Sequence, residues 1–169
     1  MLSWIALFCL TGAATLLFVL AVIDLKTRLL PNELVLGFAT LGFIFHLTTL
    51  AQFISIQNIF LGSVTGFAAL YLVRAVANKV YNEDALGLGD VKLIGAAGVW
   101  VGPDNVMLAM AVGAMAALVH GFFYAMYVSI KTKQKPDFAR LQIPAGPGFA
   151  IGIIVAGLIA FKDFRLEPL

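Results

Sequence analysis

Two aspartates are the residues of this chain best suited to chemistry. Asp90 stands in the run Leu86-Gly87-Leu88-Gly89-Asp90-Val91-Lys92-Leu93, and Asp24 ends an apolar stretch that leads to Leu30-Pro31-Asn32. An ionisable side chain at membrane depth is costly, so it has a partner or a water-filled cavity. Two carboxylates brought together cannot both ionise comfortably, and one keeps a proton at neutral pH. The charged one is then a general base toward water, while the protonated one polarises a scissile carbonyl. No covalent intermediate is required, and no Ser or Cys stands in an activating context. Gly87 and Gly89 lack a Cβ, which lets a backbone approach Asp90 closely. The structural alternative is that each aspartate caps a helix or pairs with a loop cation. Asp24 is open to it, with Lys26 and Arg28 just beyond.

The elements that must position this pair are membrane helices. Of the 169 residues, 62% are apolar and only 12% charged, and the mean hydropathy is +1.00. Soluble domains are about half apolar and a quarter charged, so the composition is that of an integral membrane protein. Several runs of 17 to 25 mostly apolar residues can each cross the hydrocarbon core. None alternates with a period of two, which excludes a barrel and leaves an all-α, polytopic bundle.

Six spans are expected, at about 2–23, 34–52, 58–77, from near Asp90 to the turn at Gly102-Pro103-Asp104-Asn105, 106–129 and 144–161. Pro31 breaks the helix before the second span, and Asn32 can cap that span. The first run has no basic flank or cleavage box, so it reads as a retained helix. A single domain over 1–169 is expected. With both termini outside, nine of the eleven Lys and Arg residues face the cytoplasm, leaving Lys162 and Arg165. Asp24 and Asp90 then share the cytoplasmic face. The net charge of +2 carries no sign of nucleic-acid binding.

Gly87-Leu88-Gly89-Asp90 resembles the GxGD signature of the type IV prepilin peptidases, polytopic aspartic proteases. Asp24 followed by Pro31-Asn32 is similar to the family's first-aspartate block, and Ile143-Pro144-Ala145-Gly146-Pro147-Gly148-Phe149 to its proline-rich start of the last helix. The resemblance covers essentially the whole chain. It implies Asp24 and Asp90 as the catalytic dyad, with Gly87, Gly89, Pro31, Pro144, Gly146 and Pro147 shaping the backbone around them. It implies a prepilin or pseudopilin substrate cut after a glycine at the cytoplasmic face of the inner membrane, and no cofactor. Larger members carry an added cytoplasmic segment with paired CxxC motifs, associated with N-methylation. Cys9 is the only cysteine here, so methyltransferase activity is not expected.

Other residues carry weaker expectations. Glu83 and Asp84 could attract a basic leader, although a solvated loop charge is the ordinary reading. Lys92 could bias the dyad or simply snorkel to the interface. His46 and His120 lie in apolar runs without ligands at metal spacing, and read as satisfied buried histidines with no metal. The basic stretch 131–140 reads as a lipid anchor or topology signal. Two other classes stay open. One is an ion- or proton-coupled transporter or channel subunit, for which carboxylates on several helices and inverted repeats would be expected. The other is an inactive assembly subunit of a pilus or secretion machine.

Overall fold

The computed structural model describes residues 2–84, 86–132 and 144–164. The basic stretch 133–140, Ile143 and the tail with Arg165 lie outside the described residues. Five helices run in order: α1 Leu2–Thr27, α2 Asn32–Thr48, α3 Ile56–Tyr81, α4 Leu88–Thr132 and α5 Gly146–Ala160. Among the described residues there is no strand. Three stretches are long and apolar enough to cross a membrane, Trp4–Thr27, Ile56–Tyr81 and Leu88–Lys131, and α2 and α5 are shorter apolar helices.

The turn expected at 102–105 is one residue long. Gly102 takes φ 74° and ψ −179°, and helix resumes at once with Pro103. Proline suits this position, because the first N–H groups of a helix have no partner within it. The break divides α4 into a first arm, 88–101, and a second, 103–132. The second arm runs back toward the end at which the first begins, since its Ala117 and Gly121 line a cavity with Leu86 and Ala145.

Other boundaries also move. Nothing in Leu25-Lys26-Thr27 interrupts a helix, so α1 passes beyond Asp24 and stops where Arg28 turns left-handed at φ 55°. α2 ends at Thr48, ahead of Leu50 and Ala51, which are both left-handed. α3 continues past the expected residue 77 to Tyr81, and Asn82 closes it in the left-handed conformation usual after a helix.

The first arm of α4 is the axis of the bundle. Val91, Leu93, Ile94 and Ala97 are fully buried, so this arm is covered on all sides while the others keep one face outward. Small residues set the approach of its neighbours. Gly62 and Gly66 of α3 lie against the backbone at Gly98 and Ile94, and Trp100 packs its indole on Gly42 of α2. Gly113 of the second arm meets Phe149, while Gly148 and Gly152 of α5 meet Ala117 and Ala109. Close backbone packing of this kind holds helices together in lipid, where apolar burial gives little drive. The outer faces carry large apolar side chains such as Phe8, Phe18, Leu36, Val64 and Leu118. A belt of that extent is too apolar for water and suits a hydrocarbon environment.

Candidate active site

The end of the bundle where α1 stops and α4 and α5 start gathers the polar groups. Asp24 lies in the last turns of α1 and is 5% exposed. Its Oδ2 accepts a hydrogen bond of 2.9 Å from the backbone N–H of Gly146, the first residue of α5. The first N–H groups of a helix have no partner of their own and carry the positive end of its dipole, so they hold an anion well. A Cβ on Gly146 would stand 2.6 Å from that same oxygen. Only glycine permits this contact.

Asp90 lies in the first turn of α4 and is 8% exposed. Its carboxylate is near enough to Asp24 for the two charges to interact. Its Oδ1 is buried with no hydrogen-bond partner among the described residues. The glycines before it do different things. A Cβ on Gly87 would come within 3.1 Å of Asp90 Oδ2, whereas one on Gly89 would meet the side chain of Leu30 at 2.9 Å. Gly87 therefore leaves room at the carboxylate, and Gly89 lets the Leu30-Pro31 corner pack against the start of α4. Pro31 caps α2 in an extended conformation. Pro144 is half-buried just before α5, and Pro147 lies in its first turn, where a missing N–H costs nothing.

Lys92 points to the same corner and donates to Asn32 Oδ1 at 2.9 Å. Asp84 accepts from Arg74 at 2.8 Å and from Asn78 at 3.0 Å. Arg74 also donates to the carbonyl of Leu86 at 2.8 Å, one residue before the glycine motif. Glu83 is exposed. In the sequence Arg74 reads only as a topology charge, and Asn78 only as the start of the polar stretch 78–84. A cation inside the apolar run 58–77 is the available signal, since such a charge needs a partner.

His46 is at the far end of the bundle, fully buried, with Nε2–H donating to the carbonyl of Trp100 at 3.0 Å. His120 is exposed on the second arm of α4, not buried as expected, because that face of the arm looks outward. Among the described residues no three metal-ligating side chains converge. The arrangement that remains is a buried carboxylate pair, one member tied to a helix start. Beside it lies an apolar cavity of about 940 Å³ bordered by Leu86, Ala117, Ala145 and Phe149.

The chain is 34% identical over 154 residues to a prepilin leader peptidase/N-methyltransferase of Pectobacterium carotovorum, covering 89% of this chain and 52% of that protein. It is 30% identical to the protein of that name in Vibrio cholerae, over 97% of this chain and 59% of the relative. In Escherichia coli K12 the figures are 30% identity, 91% and 66%. The chain thus spans about half to two thirds of the length of these curated relatives. No solved structure matches it. The model of the type IV leader peptidase family matches residues 11–126, a stretch that holds both aspartates, and the chain belongs to that family.

Proposed function

We propose that this chain is a membrane aspartic endopeptidase that removes the leader of prepilin-like or pseudopilin substrates. The observation that carries the proposal is the apposition of Asp24 and Asp90, buried on different helices and near enough to feel each other's charge. Such a pair shares one proton, which provides a base for water and an acid for the carbonyl oxygen in one site. The names of the relatives support leader processing as the reaction. Those names include N-methylation as well. The dyad accounts for the peptidase step alone, and the one cysteine, Cys9, is buried in α1.

The chain crosses the membrane six times, the two arms of α4 counting as separate spans, and forms a single peptidase domain. Described cations support a cytoplasmic site. Lys26, Arg28, Lys79 and Lys92 belong to the dyad end, while Lys162 lies beyond α5 at the other end. The location is the inner membrane. An extended substrate segment reaches Asp90 past Gly87, and the bond cut lies after a glycine ahead of the substrate's apolar helix.

The test is a leader-cleavage assay. The chain is co-expressed with a tagged prepilin bearing a basic leader and a glycine before its apolar helix, beside the Asp24→Asn and Asp90→Asn variants. Cleavage by the wild type and its loss in both variants is the expected result. Cleavage that survives in either variant removes the dyad and returns the carboxylates to a structural or transport role.

A further inference from the structure

The two aspartates differ in what surrounds them. Oδ2 of Asp24 receives the Gly146 N–H at the start of α5, and Arg28, one turn on, bears electrostatically on the same carboxylate. Asp90 lies in the first turn of its own helix, α4, but among the described residues has no hydrogen bond of that kind on Oδ1 and no cation bearing on it. Its Oδ1 is buried without a donor among the described residues, and the charged group that bears on it is Asp24 itself. The α5 residues beside Asp24, Ala145 to Phe149, carry no charge. Lys92 donates to Asn32, and Glu33 is exposed in the first turn of α2. A negative charge therefore has a direct donor and a nearby cation at position 24 and neither at position 90.

We infer that Asp24 is the base of the pair, that Asp90 carries the proton to the substrate carbonyl, and that Gly146 is the positioning residue that fixes this order. The inference rests on the dyad reading above. Asp24 takes a proton from water as the water oxygen bonds to the scissile carbonyl carbon, and Asp90 gives its proton to the carbonyl oxygen. The gem-diol then collapses. The proton on Asp24 passes to the leaving nitrogen, the C–N bond breaks, and Asp90 takes back a hydroxyl proton. One water is consumed and the pair returns to its starting charge.

Gly146 acts only through its N–H and its missing side chain. In Gly146→Ala the added methyl group meets Asp24 Oδ2 and pushes the carboxylate off the N–H. The charged form of Asp24 alone loses support, and the ionisation of Asp90 beside an already charged Asp24 is unaffected.

The experiment is a pH profile of kcat/KM for cleavage of the tagged prepilin by full-length protein in detergent. In Gly146→Ala the acid limb moves to higher pH by roughly 1 unit, the equivalent of one hydrogen bond to a charged group, while the alkaline limb stays in place. The kcat value falls and KM holds. In Arg28→Gln, at an exposed position, the acid limb moves the same way by a few tenths of a unit. This second variant decides the matter if Gly146→Ala does not fold. Movement of the alkaline limb alone means that Asp90 is the base, and movement of neither limb means that Gly146 and Arg28 do not set the order. Both outcomes overturn the inference while leaving the dyad. A wild-type chain that cleaves no prepilin removes the dyad reading and the inference with it.

Discussion

Gly62 of α3 and Gly98 in the first arm of α4 lie back to back, so close that a Cβ on either would run into the carbonyl oxygen of the other. Both colliding partners are backbone, which cannot rotate away as a side chain can. Gly98→Ala is therefore expected to destabilise the bundle by about 3 kcal/mol, the upper part of the ordinary range for overpacking. Thermal unfolding in detergent reads this directly. Gly157 of α5 is the control, because a Cβ there meets nothing within 4 Å. Gly157→Ala should gain about 0.5–1 kcal/mol from helix propensity. Equal behaviour of the two variants would mean that α3 and the first arm are not in this contact.

The ends of this site were legible in the sequence and its ties were not. Gly87-Leu88-Gly89-Asp90 and Pro144-Ala145-Gly146-Pro147 are local patterns, and each marks a helix start whatever the helix touches. The bond from Gly146 to Asp24 joins residues 122 apart in the chain. No spacing rule reaches that far, and hydropathy gives the order of helices but not their rotation. Arg74 shows the same limit from another side. A lone cation in an apolar helix reads identically whether it snorkels to the interface or holds a loop carbonyl. Gly102-Pro103 was readable as a break, but not as a break of one residue.

Arg74 ties the loop before the glycine motif to α3, through Leu86 and Asp84. Arg74→Met keeps the length and apolar stem of the side chain but releases both. Cleavage should fall about tenfold in kcat/KM, corresponding to roughly 1.4 kcal/mol at the transition state, with the fold retained. Asp84→Asn keeps an acceptor for Arg74 and Asn78 and removes the charge. Because the Asp84 side chain is 83% exposed, its charge contributes little, and this variant should cleave a neutral-leader substrate within about twofold of wild type. A selective loss on a Lys-rich leader would instead assign Asp84 to leader attraction. Assays on the two leaders in parallel separate these roles.

The conformation of Gly102 lies in a region that is essentially reserved for glycine, with φ 74° and ψ −179°. Space is not the issue, since the nearest atom to an added Cβ is Ile54 Cγ2 at 3.4 Å. Gly102→Ala should therefore cost about 2 kcal/mol from backbone strain alone. Removing both Ile54 atoms that face the added Cβ, Cγ2 and Cδ1, as in Ile54→Ala, should recover none of that cost relative to Ile54→Ala alone. Recovery in the double variant, read as its unfolding midpoint, would show the cost to be steric crowding instead.

His46 bears on the choice between a peptidase and a proton-coupled transporter. The first arm of α4 ends at Gly102, and Pro103 has no N–H, so the last carbonyls of the arm lack the donors that a continuing helix would supply. His46 reaches across from α2 and meets the carbonyl of Trp100, while the Trp100 indole N–H donates to the carbonyl of Phe38 at 2.8 Å. The two bonds staple α2 to the far end of the axial arm. His46 is packed among aromatic rings there, with Phe45 and Phe161 centroids 5.3 and 6.1 Å from its own. His46→Leu leaves the Trp100 carbonyl without that donor and should lower stability by about 1–3 kcal/mol. Asp90 is ten residues back along the arm, about 15 Å at the rise of a helix. The folded fraction of His46→Leu should therefore cleave prepilin with an unchanged kcat. In a transporter a buried histidine between helices would be a natural proton carrier. Its loss would then abolish function at full stability, the reverse of the result expected here.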